Sequence, residues 1–169
     1  MIKLTKSYLL AMAFICLTVS CTTDETDPLE ESNYEIDLNL SLETDWQLAD
    51  EILVLINEYR TSQELSNIII DQQYASAYAV EHTKYMIDLE QINHDYFSRR
   101  SGALMNQGAI QVGENVAKGY STAEEVVYAW INSPSHKEII EGLFTHAGLG
   151  ILKNENGYNY FTLLFYRME

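Results

Sequence analysis

Gly-Glu-Asn-Val-Ala-Lys-Gly-Tyr-Ser-Thr-Ala-Glu-Glu-Val-Val-Tyr-Ala-Trp-Ile-Asn-Ser-Pro-Ser-His, residues 113–136, is the stretch around which the chain is organised. A carboxylate, Glu114, follows directly on a glycine. Ser121-Thr122-Ala123-Glu124 has the form of a capping box, in which a hydroxyl and a carboxylate satisfy the free amides that open a helix. Val126, Val127, Trp130 and Ile131 then recur at helical spacing and form one apolar stripe. Pro134 stops that helix, because proline lacks an amide and crowds the preceding turn. A short second helix follows over 135–140, with His136 in its first turn and Gly142 closing it.

Downstream, 147–152 and 158–165 are β-rich runs on either side of Asn154-Glu155-Asn156-Gly157. An Asn-Gly turn between two such runs predicts a hairpin. The second run is apolar almost throughout, as a strand covered on both faces must be.

Upstream, Asp45 caps a predicted helix bearing Trp46, Ala49, Ile52, Leu53, Ile56 and Tyr59 on one face. Ile68-Ile69-Ile70 is a short β-branched run. A second helix is predicted over 71–89, with Tyr74, Ala75, Tyr78, Ala79, His82, Tyr85, Met86 and Leu89 as its stripe. A histidine on such a stripe reads as a core side chain bonded to a nearby carbonyl, so His82 stands outside the expected site. Residues 92–112 read as a loop, with His94 at its start, Gly102 and Gly108 within it, and the basic pair Arg99-Arg100. Tyr96, Phe97, Tyr120 and Trp130 read as core aromatics. Amphipathic helices together with a C-terminal apolar hairpin suit an α+β fold. The expected architecture is a three-layer α-β-α sandwich around a central, mostly antiparallel sheet.

The first twenty residues carry Lys3 and Lys6 ahead of a short apolar run and end at Ser20-Cys21. This reads as a signal peptide, too short for a confident membrane span. A small residue before cysteine resembles a bacterial lipobox, which implies lipidation at Cys21. Residues 21–42 read as an acidic flexible tether, and 43–169 as the folded domain. Cys16 leaves with the leader, so no disulfide can form within the domain. The predicted address is the cell envelope, at the outer membrane through a lipid anchor, with surface display suggested by Asp24, Glu25 and Asp27. The formal net charge of -15 excludes nucleic acid as a partner, since such a surface repels phosphates.

Several elements resemble the bacterial branch of the CAP superfamily of cysteine-rich secretory, antigen 5 and pathogenesis-related 1 proteins. They are the Gly-Glu-Asn at 113–115, the Trp-x-x-Ser-Pro-x-His of 130–136, the Asn-x-x-Arg of Asn57 and Arg60, and the His82/Met86 pair. The resemblance covers roughly 45–166. Its loop motif departs from the family, with Ile-Asn-His in place of Phe-Ser-His before displaced aromatics.

That resemblance implies a central cleft containing His94, Glu114 and His136, and a second family glutamate has no counterpart here. Two neutral imidazoles and a carboxylate could hold Zn²⁺ or another divalent cation. A structural role for Glu114, bonding loop groups near a turn, stands beside that reading. The function implied is a binding module for a small apolar ligand, a metal or a partner protein. A metal-dependent hydrolase and a purely structural envelope protein are the alternatives. No Gly-x-Ser-x-Gly elbow supports nucleophilic catalysis.

Overall fold

The computed structural model describes residues 35–169. A 3-10 helix (Leu38–Glu43) precedes α1 (Trp46–Ser62), β1 (Ile69–Ile70), α2 (Tyr74–Asp88), α3 (Phe97–Asn106) and β2 (Ala109–Lys118). Then come α4 (Ala123–Ile131), α5 (Pro134–Ile140), β3 (His146–Lys153) and β4 (Asn159–Met168). The sheet order is β1-β3-β4-β2. β4 runs antiparallel to both neighbours, and only the two-residue β1 is parallel to its partner β3. The sheet is thus mostly antiparallel, as expected.

Side-chain alternation along the strands divides the interior into two faces. Ala147, Leu149, Ile151, Phe161, Leu163 and Phe165 pack with Ile52 and Ile56 of α1 and Val126 and Trp130 of α4. The opposite face carries Leu164, packed with Ala77, Tyr78 and Ala79 of α2. Helices therefore cover both faces, which gives the three layers predicted. α2 approaches closely because β3 offers glycines. A Cβ built on Gly148 would lie 2.3 Å from the Ala75 carbonyl carbon, and one on Gly150 2.4 Å from that of Ala79.

Local chemistry explains the element ends. The Asp45 carboxylate accepts from the Leu48 amide and caps α1. The capping box of α4 falls one residue later than predicted: Thr122 is the cap and Glu125, rather than Glu124, closes it. Within α1, the Asn57 side chain bonds both the amide and the carbonyl of Ile68, at 2.7 and 3.0 Å, as a neighbouring strand would.

Three further expectations are corrected. Residues 35–42, predicted to end the tether, belong to the folded unit: Ile36 is buried and packs in the α2 cluster. An aliphatic side chain followed by an Asp37 carboxylate that caps the 3-10 helix is enough to dock this segment. The predicted loop 92–112 instead contains α3 and the start of β2. Tyr96, expected in the core, is largely exposed. The leader, Cys21 and the tether as far as residue 34 lie outside the described residues. Among the described residues no helix is long and apolar enough to cross a membrane.

Candidate functional site

β2 is an edge strand, and the Gly-Glu-Asn signature lies in it. Each of the three residues meets a different neighbour because successive side chains alternate. Gly113 leaves room for Phe144 and Ile139, which a Cβ would meet at 2.9 and 3.1 Å. Glu114 lies on the same face as Val112 and Val116, toward α2 and α3. Asn115 points to the other face, where its amide donates to the His136 carbonyl at 3.1 Å. A single strand thereby ties together the two helical layers. The Trp130 indole donates to the Val116 carbonyl at 3.2 Å and anchors α4 to the same strand.

Glu114 is the centre of the site. Its carboxylate is almost wholly buried, a state that is costly without partners. Arg100 of α3 supplies two of them, with Nε donating to Oε2 and Nη2 to Oε1, both at 2.8 Å. A fork of this kind matches a carboxylate in geometry as well as charge. The third partner is His94, whose Nδ1 is 2.8 Å from Oε1. An ionised carboxylate only accepts, so His94 carries a proton on Nδ1, and in its neutral form it presents Nε2 as an acceptor. The His94 side chain is 53% exposed.

His82 borders the same carboxylate at 4.0 Å. Its Nε2 donates to the Asn93 carbonyl at 2.9 Å, the buried-histidine role expected of it. That bond also fixes the segment leading into His94. Burial, with help from the positive charge of Arg100, holds the His82 pKa below the usual imidazole value. His136 sits half-buried on α5, its pKa lowered first by burial and then by the repulsion that a protonated His94 would exert. The expected trio is brought together only in part. His94 and Glu114 are in direct contact, while His136 meets Asn115 through its backbone carbonyl and lies near enough to His94 for that ring to influence its pKa.

The trio does not fit the zinc site that the resemblance implied. Both Glu114 oxygens accept from a guanidinium, so a cation already holds the position a dication would need. Among the described residues no group of three or more His, Cys, Asp or Glu side chains is arranged to hold a metal ion. Glu114 is held by a salt bridge to Arg100 and a bond to His94 rather than by loop amides.

Arg100, which the sequence presents only as half of a basic pair in a loop, is the missed member of the site. No signal in the sequence marks it, since the burial of Glu114 that calls for a cation is visible only in the fold. His146 lies elsewhere: it stacks on Tyr166, with ring centroids 5.1 Å apart, and contacts the Thr145 hydroxyl. Trp130 is core, as expected. Tyr96 stands beside the cleft, 64% exposed.

Comparison with known proteins places these features in a wider set. The sequence pattern of the CAP family, described as the Cysteine-rich secretory protein family, matches residues 53–165. The chain is 54% identical over 43 residues to the uncharacterized protein YkwD of Bacillus subtilis (strain 168), a match covering 25% of this chain and 17% of YkwD. It thus spans less than a fifth of that relative. An outer surface protein from Borrelia burgdorferi superposes with a TM-score of 0.65 at 25% identity, over 73% of this chain and 94% of that one. An extracellular protein containing a SCP domain from Bacillus anthracis superposes with a TM-score of 0.60 at 26% identity, over 70% and 39%.

Proposed function

The chain belongs to the CAP family, and from that premise we propose that it is an exported binding module whose cleft takes a hydrogen-bond donor of a partner polypeptide. One observation carries this reading. Glu114 is fully engaged by Arg100 and His94, which favours for the neutral imidazole the tautomer that leaves Nε2 as an acceptor. An orienting carboxylate behind a histidine costs no reorganisation when the partner arrives. His136, whose pKa burial lowers, is near enough to His94 to be a second candidate contact in this reading.

The alternatives receive less support. The cavity beside the cleft has a volume of about 160 Å³, below that of pockets which enclose drug-sized ligands. That argues for a partner group over a small apolar molecule. A zinc hydrolase would need Glu114 free of Arg100.

Lipidation at Cys21 belongs to the same proposal: the lipid would hold the domain at the outer membrane, with the acidic segment as its tether. Its support is the leader ending in Ser20-Cys21, together with neighbours described as outer surface and extracellular proteins. Incorporation of a labelled fatty acid into wild type but not Cys21→Ser tests it.

The cleft is tested by probing a peptide array with the full chain and with His94→Ala. The expected result is a set of peptides lost on substitution while the melting temperature is held. Capture of no peptide, or capture indifferent to His94→Ala, overturns the reading.

A further inference from the structure

We propose that the open edge of β2, from Ile110 to Glu114, takes an extended segment of a partner polypeptide as an additional β-strand. The proposal rests on the reading of the cleft as a peptide site, and gives that peptide its conformation and its course. β2 has a neighbouring strand, β4, on one side only. In an antiparallel pair, alternate residues turn their amide and carbonyl toward the partner strand, and those between turn them away. On β4 the Tyr166 carbonyl accepts from Thr145, on the β3 side, and the Asn159 carbonyl accepts from Gly119, on the β2 side. Tyr166, Leu164 and Thr162 therefore face β3. Their register partners Val112, Glu114 and Val116 point their main-chain groups away from the sheet.

Two of those three residues are open to pairing. The Val116 carbonyl accepts from the Trp130 indole, which closes the edge at that end. Among the described residues, the outward amides and carbonyls of Val112 and Glu114 have no hydrogen-bond partner. A row of unpaired strand groups is a template for the main chain of another strand. The open side continues outward to Ile110, which is 44% exposed.

The shape of this edge fits a lone extended segment and not a second copy of the domain. Ile110 is exposed, whereas Glu114 and Asn115 are buried, so the strand runs inward from the surface. Solvent still reaches the main chain of Glu114, since the residue is 5% exposed and its side chain 2%. A folded domain could meet the Ile110 end but could not follow the strand inward. His94 bonds the Glu114 side chain on one face of β2, and the His136 carbonyl bonds the Asn115 side chain on the other. A strand paired at this edge therefore runs between the segments that carry the two histidines. Its main chain would supply affinity, and its side chains that meet His94 would supply choice.

The test probes arrayed peptides of about ten residues, long enough for a complete strand, with the full chain, His94→Ala and Val112→Pro. Proline removes the outward amide of Val112 but no bond to β4, and edge strands accept it in that position. Val112→Pro is expected to keep its melting temperature and to weaken capture about tenfold or more, as the loss of a main-chain bond requires. In the wild type, a captured peptide is expected to slow hydrogen exchange at the Val112 and Glu114 amides about tenfold or more. Gly113 and Asn115, already bonded to β4, should change little. Should Val112→Pro not fold, the exchange measurement decides alone, and no slowing at Val112 and Glu114 overturns the proposal. Capture lost in His94→Ala but kept in a folded Val112→Pro overturns the added strand and leaves the cleft reading standing. The reverse keeps the strand and overturns the role of His94, and capture of no peptide overturns both. A dimer of the chain that Val112→Pro dissolves assigns the edge to a second copy and also overturns the proposal.

Discussion

Arg100 grips both oxygens of Glu114, from Nε and Nη2, and both side chains are buried. Removing one partner of such a pair strands the other charge in a poorly solvating interior. Arg100→Met is therefore expected to cost about 3–5 kcal/mol of stability in urea denaturation. The double variant Arg100→Met/Glu114→Leu is expected to be more stable than Arg100→Met alone, since no buried charge is left. If the double variant were the less stable, the pair would not be the coupled unit described.

The imidazoles near this pair make stability depend on pH. His82 and His136 both have folded-state pKa values below the ordinary 6.5, through burial first in each case. The unfolded chain then binds more protons than the native one as the pH drops below that value, so native stability falls. Their contribution is complete above pH 6.5 and is lost as the pH falls through the depressed values. Melting temperatures between about pH 8 and about pH 5 should show a decline beginning below about 6.5. His82→Gln is expected to flatten that decline. An unchanged profile in this variant would remove His82 as a cause.

How much of this was legible in the sequence follows from which signals are periodic. α1, α4 and the C-terminal hairpin announced themselves through apolar spacing, caps and an Asn-Gly turn. α3 did not. Its buried residues are Arg100 and Leu104, Gly102 lies inside it, and its cap residue Tyr96 uses a left-handed backbone in place of a capping side chain. β2 was hidden for a related reason. Glu114 and Asn115 are polar yet buried, so the strand shows no apolar alternation where its partners come from three other elements. The pairing of His94 with Glu114 was anticipated only through family resemblance, and Arg100, which engages both oxygens of Glu114, lay in the segment read as loop.

Glycines at the interface of α2 and β3 lead to a packing prediction. A Cβ at Gly148 or Gly150 would meet backbone atoms of α2 at 2.3–2.4 Å, far inside van der Waals contact. Backbone cannot rotate away as a side chain can, so the helix itself must move. Gly148→Ala and Gly150→Ala are each expected to destabilise by about 3 kcal/mol, the upper part of the overpacking range. Gly102→Ala offers the contrast: it lies in α3 with nothing near its would-be Cβ, and should be neutral or stabilising. Equal midpoints for Gly148→Ala and wild type in denaturant would show that α2 does not seat on the strand as described.

Arg60 makes the last prediction. It is buried at the end of α1, and no carboxylate faces it in the hydrogen bonds it makes. Nε donates to the Ser66 carbonyl, Nη1 to those of Ile140 and Gly142, and Nη2 to that of Phe144. One guanidinium thus closes the turn after α1 and satisfies carbonyls at the end of α5 and before β3. The five donors of arginine, held in a plane, can reach such a spread of acceptors, whereas the three donors of lysine radiate from one point. Arg60→Lys should therefore fail to substitute, losing at least two of the four contacts while keeping the charge. A cost of about 2–4 kcal/mol is expected for Arg60→Lys, at net values of about 1.5–3 kcal/mol per charged hydrogen bond partly offset by water. Arg60→Met should cost at least as much, because it leaves buried carbonyls without donors. Hydrogen exchange would locate the damage, with amides of 139–147 losing protection before those of α2. Full stability in Arg60→Lys would mean that charge alone, and not the reach of the planar fork, holds α5 and β3 to the first helix.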